Sequence, residues 1–241
     1  MRKYFCILFC VVLLGCQDLG SLLQSPTESI IPTETETAKA LTESLVIGMS
    51  KASDRLSIEN GFFANDLIKI PFPQDAQNIA SALQTVGAGK LVEDTVLSLN
   101  RAAENASGVA KNVLVSAIKA MTIQDAMNIL LGPDDAATTY LKQTTTPTLL
   151  TQFRPIIQSS LSQVHATEYW TQVTTKYNQI NVMNVFGKPV ETDLTSYVSG
   201  KALDGLFYMV EKEEKSIRDN PIERTTALLK KVFGYADTKK Q

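Results

Sequence analysis

The chain has 241 residues, of which 44% are hydrophobic, and its 23 basic and 25 acidic side chains give a formal net charge of −2. A mildly acidic chain without a dense basic patch has no electrostatic reason to bind nucleic acid, so the sequence predicts no nucleic-acid partner. The length suits one domain with a sizeable hydrophobic core.

The N-terminus has the order of features of a secretory signal. Basic Arg2 and Lys3 are followed by an apolar run that ends at Leu14, which is too short to span a bilayer as a helix. The run leads into Gly15-Cys16, which resembles the bacterial lipobox, where signal peptidase II cleaves before a lipidated cysteine. We therefore predict a lipoprotein signal peptide over residues 1–15, with a buried hydrophobic first strand as the structural alternative.

This interpretation predicts the address of the protein and the state of its thiols. Cys16 is the predicted lipidation site, which would carry palmitate and anchor the protein to a bacterial membrane, periplasmic or at the outer membrane. Cys6 and Cys10 would leave with the signal peptide. Without a free thiol, the mature protein has no disulfide, no thiolate metal site and no cysteine nucleophile. The sequence predicts no metal site and no cofactor.

Residues 16–34 are predicted to be the lipidated cysteine and a flexible tether, because Ser, Thr, Pro and Glu are mixed there with isolated apolar residues. From about residue 35, apolar side chains recur at three- and four-residue steps, the pattern of amphipathic helices. The sequence predicts an all-α fold, a compact bundle of about eight to ten helices in one domain over residues 35–234. A frayed tail is predicted over 235–241.

Several boundaries follow from local signals. An irregular apolar loop is predicted near 58–73, because Pro71 and Pro73 favour extended backbone before them. The predicted helices then cover about 75–86, begin near Lys90 and again near Val109, and follow a Thr122–Asp125 capping box to Leu131. The later segments are helices near 134–143, 146–164 and 166–178, a loop over 179–191, an apolar helix from Leu194, and a last helix from Asn220-Pro221.

Two glycines are predicted to end helices. Gly132 is expected to close the short helix after Thr122 in a left-handed turn, and Gly234 is expected to stop the last helix. Each prediction rests on the ease with which glycine takes a positive φ angle.

Six segments also carry a resemblance to a known family, namely Gly89-Lys-Leu-Val-Glu-Asp, Asn100-Arg-Ala-Ala-Glu, Met121-Thr-Ile-Gln-Asp-Ala, Gly132-Pro-Asp-Asp-Ala-Ala-Thr, Lys201-Ala-Leu-Asp-Gly-Leu-Phe and Leu229-Lys-Lys-Val-Phe-Gly. In this order they resemble the bacterial family called domain of unknown function 4197, over about residues 40–234. The resemblance implies an exported helical protein, often a lipoprotein. It implies no activity, substrate or catalytic residue.

Two pairs of opposite charge lie inside otherwise apolar helices. Arg101 with Glu104, and Lys201 with Asp204, have i,i+3 spacing, so the partners of each pair share a helix face. If both pairs converge in a cleft, they could recognise a polar ligand. The structural alternative is a partly buried ion-pair network that fixes the helix register.

The adjacent acids Asp134 and Asp135 could bind a hard cation, or could cap the helix that follows them. His165, the one histidine, could be a catalytic base, although a surface or capping role is the simpler interpretation. The charge run Glu211–Lys215 is predicted to be a solvated helix end.

The sequence lacks the groups that most chemistry requires, so the leading hypothesis is a non-enzymatic, membrane-anchored envelope protein that binds a partner or acts as a scaffold. The first alternative is a module for a lipid or other apolar ligand with the loop 61–73 as a lid, motivated by its apolar side chains Phe62, Phe63, Ile68, Ile70 and Phe72. A weaker alternative is a carboxylate-based hydrolase. The partner would be an envelope protein or a small ligand, together with the membrane.

Overall fold

The computed structural model of the protein describes residues 31–73, 76–163, 165–180, 193–220 and 226–239. Within these ranges the chain forms eight helices and no strand, which confirms the predicted all-α fold. The helices are α1 (Glu34–Leu56), α2 (Gln77–Thr85), α3 (Gly89–Lys119), α4 (Ile123–Leu131), α5 (Ala136–Gln163), α6 (Ala166–Ile180), α7 (Leu194–Asp219) and α8 (Ala227–Lys239). The predicted signal peptide, Cys16 and most of the predicted tether lie outside the described residues.

Four long helices, α1, α3, α5 and α7, pack around a shared hydrophobic core. Asp54 of α1 pairs with Lys111 of α3 at 3.2 Å, whereas Glu59, just beyond α1, pairs with Arg101, earlier on α3, at 2.9 Å. The two helices are therefore antiparallel. Ser53 at the same contact donates its hydroxyl to the Ser107 carbonyl at 2.8 Å.

Helix α7 closes this arrangement. It is antiparallel to α5, because Glu214 contacts Thr138 near the start of α5 while Asp193, just before α7, pairs with Arg154 near the end of α5 at 3.6 Å. It is also antiparallel to α1, because Leu41 lies beside Ile217 near the end of α7, whereas Phe62, just beyond α1, lies against Gly205. Arg55 of α1 pairs with Glu213 at 2.6 Å. The four helices thus form a bundle in which each neighbour runs in the opposite direction.

The bundle has two distinct ends. The end that we call the N-terminal end carries the start of α1, together with α4, the start of α5, the end of α7 and α8; Lys231 of α8 pairs with Glu36 of α1 at 2.9 Å. The opposite end, which we call the loop end, carries the loop 57–73 with α2 and α6, where Phe72 packs on Trp170 with ring centroids 5.5 Å apart. No single helix in the described ranges is long and apolar enough to cross a membrane, although α3 and α4 meet the length and composition criteria as a pair bent by 104°.

The loop at residues 57–73 packs into the core, as predicted. Phe62, Ile70 and Phe72 are buried. The Asn100 side chain of α3 accepts from the Ile70 N–H and donates to the Ile70 carbonyl, both at 2.8 Å, which satisfies backbone groups that no regular secondary structure serves. The buried Asn100 side chain therefore bonds to the loop backbone in the way that a neighbouring strand would in a sheet.

Helix α3 corrects the prediction of separate helices beginning near Lys90 and Val109. It is continuous through Gly108, where glycine costs about 1 kcal/mol relative to alanine. The buried stripe continues on both sides of this glycine with Ala103, Ala106, Ala110 and Leu114. Continuous burial against α1 and α5 outweighs that local cost.

Helix α5 corrects the predicted break between 143 and 146, because it includes both Pro147 and Pro155. A proline inside a helix removes one backbone hydrogen bond and costs about 3 kcal/mol. In the turn before Pro147, the hydroxyls of Thr144, Thr145 and Thr146 each donate to the carbonyl four residues earlier, at 2.5–2.8 Å. The helix also buries a stripe along its length, formed by Leu141, Leu149, Phe153 and Ile157.

The two ends of α4 test the predicted capping box at Thr122 and the predicted turn at Gly132. The predicted capping box before α4 is confirmed, because Thr122 accepts from the Asp125 N–H at 3.1 Å and Asp125 accepts from the Thr122 N–H at 2.9 Å. The predicted left-handed turn at Gly132 is wrong, since its φ is −78°. Glycine is needed there because a Cβ would lie 2.7 Å from the Asn128 carbonyl oxygen and 2.9 Å from the Cβ of Ala136.

The C-terminal helix also differs from the prediction. α8 begins after Thr226, whose hydroxyl accepts from the Leu229 N–H at 3.1 Å, and it continues through Gly234 to Lys239. The predicted stop at Gly234 is therefore wrong, and residues 235–239 are helical rather than frayed, with Ala236 buried against the core. The predicted Pro221 start lies outside the described residues. So does the predicted loop 179–191, except for its first two residues, which belong to α6.

Candidate functional site

An open groove, which we call the α5–α7 groove, runs along one side of the bundle. Its upper part, about 280 Å³, lies between α7 and the loop residues 67–71, and its lower part, about 230 Å³, lies between α7 and the first turns of α5. Asp204 and Tyr208 line both parts. Lys142 and Glu211 add charges of both signs to the lower part.

Three residues that the sequence singled out meet at this groove. Lys201 and Asp204 line its upper part, and Asp135 lines its lower part together with Asp204. Lys201 Nζ lies 3.5 Å from Asp204 Oδ2, and the two side chains are 46% and 64% exposed. Their ion pair is therefore solvated and contributes little to folding stability. The side chains remain accessible to a partner.

Arg101 and Glu104 do not line this groove. Glu104 is buried beneath the loop, where Oε1 accepts the N–H groups of Phe62 and Phe63, both at 3.1 Å, and Oε2 pairs with Arg101 Nη1 at 2.6 Å. Arg101 Nη2 also pairs with Glu59 at 2.9 Å. The two predicted pairs therefore do not share a cleft, and the Arg101–Glu104 pair has the contacts of a structural clamp on the loop.

The start of α5 is capped from another helix. The Glu214 carboxylate on α7 accepts the Ala137 N–H at 3.0 Å and both the Thr138 N–H and hydroxyl at 2.8 Å. The sequence offered capping of this helix, as one of two alternatives, to Asp134 and Asp135. The Asp135 carboxylate accepts the Thr139 hydroxyl at 3.4 Å and faces the groove.

The charge run Glu211–Lys215 was predicted to be a solvated helix end, and only Glu211, Lys212 and Lys215 are exposed. Glu213 and Glu214 are both buried, together with Arg218 one turn later. A signal for this existed in the sequence, because positions 213 and 214 continue the apolar stripe Leu206, Val210 and Ile217 at helical spacing. A charged residue on such a stripe is buried and needs a partner.

Several other predicted features have clear positions. His165 has a positive φ of 58°, its side chain is exposed, and its Nδ1 lies 3.1 Å from Glu168 Oε2, which agrees with a surface role. In the described part of the chain, no group of three His, Cys, Asp or Glu side chains is placed to hold a metal ion.

Tyr208, at the middle of the groove, was not singled out by the sequence, and the Lys212 ammonium lies 5.5 Å from its ring centroid.

The predicted lid does not cover a chamber in the described structure. Phe62 and Ile70 fill the core, and Gly205 of α7 approaches the loop so closely that a Cβ would lie 2.6 Å from the Phe62 ring. A small cavity beside Glu214 and Arg218 measures about 10 Å³. This is at most the room needed for one water molecule.

The sequence model of a family described as "protein of unknown function (DUF4197)" matches residues 32–234. The chain belongs to this family. The match includes the whole α5–α7 groove, Glu104 beneath the loop, and the buried Glu214 and Arg218 of α7. No curated protein and no solved structure matches the chain.

Proposed function

We propose that the protein is an exported lipoprotein, anchored to a membrane of the bacterial envelope through Cys16, and that it binds or scaffolds a partner protein at the α5–α7 groove without turnover. The observation that supports this proposal most directly is that the buried and the exposed carboxylates have different surroundings. Within the part of the chain that the structure describes, each buried carboxylate is committed to a structural contact, whereas three accessible ones, Asp135, Asp204 and Glu211, line an open groove.

The buried carboxylates are held by other parts of the protein. Both oxygens of Glu104 and both oxygens of Glu214 are occupied by N–H groups, a hydroxyl or an arginine, and Glu213 pairs with Arg55 and Lys51. A general acid or base needs an oxygen within hydrogen-bond distance of a substrate proton. Glu104 and Glu214 have none to offer without releasing the loop or the start of α5, and Glu213 lies between two cations.

The α5–α7 groove presents charged and aromatic side chains to solvent. Lys142 and Lys201 lie among Asp135, Asp204 and Glu211 around the half-buried Tyr208. Polar rims of mixed charge around an aromatic side chain are common at protein interfaces, where tyrosine is among the residues that contribute most to affinity. The groove is shallow and open, which suits a protein segment better than an enclosed small molecule.

The binding proposal is tested by site-specific photocross-linking in the native envelope. A photoreactive amino acid replaces Tyr208, and a matched control carries it at Gln172, an exposed position of α6 at the loop end. We expect a discrete adduct from position 208 that is absent from position 172, and Asp204→Lys should weaken it by reversing one groove charge. The same adduct pattern from both positions would contradict a specific groove.

The anchor is tested separately. Cys16→Ser should prevent acylation and removal of the signal peptide, while its circular dichroism spectrum stays helical, because residue 16 precedes the first described helix. In the native protein, a mature N-terminal peptide without acyl chains on Cys16 would contradict the lipoprotein proposal, whatever the outcome at the groove.

A further inference from the structure

The outer face of α4 carries no charged side chain. Ile123, Met127 and Leu131 follow one another at i,i+4 spacing, and Ile123 and Leu131 are 46% and 52% exposed. Gln124 and Asn128 lie alongside and bond to each other at 2.9 Å. The inner side of the same helix is buried through Ala126, Ile129 and Leu130.

This face lies at the N-terminal end of the bundle, where the chain enters from Cys16. Ile31, the first described residue, is 62% exposed and precedes α1, which packs against α4. Even fully extended, residues 17–30 would span at most about 50 Å. The bundle is nearly as long, since the 31 residues of α3 extend over about 46 Å. Turning the loop end toward the membrane would therefore require an almost fully extended connection.

Among the described residues, the loop end offers no comparable helix face. Ile58, Leu67 and Val86 are at least as exposed as Ile123, at 61%, 65% and 51%, but they lie in separate turns. Ile58 is followed by Glu59, and Leu67 is preceded by Asp66. Placing these carboxylates against lipid headgroups would cost the hydration of Asp66 and of Glu59, whose side chain is 77% exposed beside Arg101.

We infer that the outer face of α4 rests on the surface of the lipid bilayer when the protein is anchored; this inference rests on the proposed anchor at Cys16. Amphipathic helices lie in the headgroup region with their apolar side chains toward the acyl chains. Three apolar side chains are too few to hold a protein of this size on a membrane by themselves. The contact therefore sets the orientation of the bundle, and the acyl chains supply the affinity.

The experiment uses the full mature lipoprotein, purified and reconstituted into phosphatidylcholine–phosphatidylglycerol vesicles that contain nitroxide-labelled lipid. Because an acylated Cys16 has no free thiol, an introduced cysteine is the single site for a fluorophore. The test variants are Ile123→Cys and Leu131→Cys, and the controls are Ile58→Cys and Leu67→Cys, which are equally exposed at the loop end.

We expect the fluorophores at positions 123 and 131 to be quenched at least about twofold more strongly than those at 58 and 67. Equal quenching at all four positions, in protein that floats with the vesicles, would overturn the orientation while leaving the anchor intact. Protein that fails to float with the vesicles would overturn the anchor at Cys16, and the inference with it. Thermal unfolding of each labelled variant checks that all four remain folded.

Discussion

Glu214 and Arg218, one turn apart on α7, hold the ends of two other helices. Glu214 accepts the first free N–H groups of α5, and Arg218 donates to the last carbonyls of α4, at 2.9 Å to Ile129 and 3.3 Å to Leu130. Their own ion pair, at 2.8 Å, is buried. Helix ends leave such groups without intrahelical partners, and here one ion pair from a third helix satisfies both ends.

The first prediction concerns this pair. Arg218→Met should lower the free energy of unfolding by about 3–5 kcal/mol, because it leaves the Glu214 carboxylate buried without its cation. Urea denaturation followed by circular dichroism measures the change. The matched control is Lys215→Met on the same helix, whose pair with Asp219 is exposed. A control variant as destabilised as Arg218→Met would contradict the importance of burial.

The second prediction concerns the close approach of the loop to α7. Gly205→Ala places a methyl group 2.6 Å from the buried Phe62 ring, which has no free space to move into. We expect a loss of about 1–3 kcal/mol in unfolding free energy. Gly200→Ala, on the same helix with no atom near its Cβ, should instead gain about 0.5–1 kcal/mol. Two changes of the same sign would contradict this difference.

The third prediction concerns the loop clamp. Glu104→Ala leaves the N–H groups of Phe62 and Phe63 without their acceptor, and should cost about 1–3 kcal/mol. Hydrogen exchange should accelerate at these two amides more than at amides in the middle of α5. The control Asp54→Ala removes an exposed partner of Lys111 and should leave loop exchange unchanged. Protected loop amides in Glu104→Ala would show that the clamp is dispensable.

The fourth prediction concerns pH. The hydrogen bond from Lys231, followed by that from the Thr33 N–H, lowers the pKa of Glu36 from 4.5 to about 2. A carboxyl whose pKa is lower in the folded state stabilises the fold above its unfolded pKa, and loses that effect as the pH falls through its folded pKa. The difference in melting temperature between the native protein and Glu36→Gln should therefore be constant above about pH 5 and disappear between pH 4.5 and 2.

A second variant tests the cause of that pH dependence. Lys231→Met removes the largest contribution to the lowered pKa, so most of the acid loss that Glu36 causes should disappear, and the remainder should lie closer to the unfolded pKa. Thermal melts at half-unit pH steps compare the three proteins. An unchanged acid profile in Lys231→Met would show that another group holds the Glu36 carboxylate.

The sequence predicted helices where local pattern and tertiary burial agree. The capping box at Thr122 and the apolar stripe of α7 are examples, because capping and periodicity act within a few residues. Pro147 and Gly108 misled the prediction for the opposite reason. Their local cost is outweighed by burial against other helices, and that burial depends on contacts distant in the chain.

The candidate site was predictable only in part. The spacing of Lys201 and Asp204 predicts a shared face but not its exposure, which depends on where the loop crosses α7. Asp135 meets Asp204 only because α5 and α7 are antiparallel in this register. Glu104 clamps amides about forty residues earlier in the chain, and no spacing rule predicts such a contact.

The position of α1 has a consequence for the order in which the protein can fold. The first helix of the described chain is covered by the last two: the Arg55–Glu213 pair closes 158 residues, and the Lys231–Glu36 pair closes 195. While the chain is still being made, Met49 and Ala52 therefore lack α7, which covers the same face of α1. A nascent chain that ends before α7 would present an apolar, aggregation-prone helix. Biogenesis of this bundle therefore depends on keeping its first helix apart from other chains until its last helices emerge.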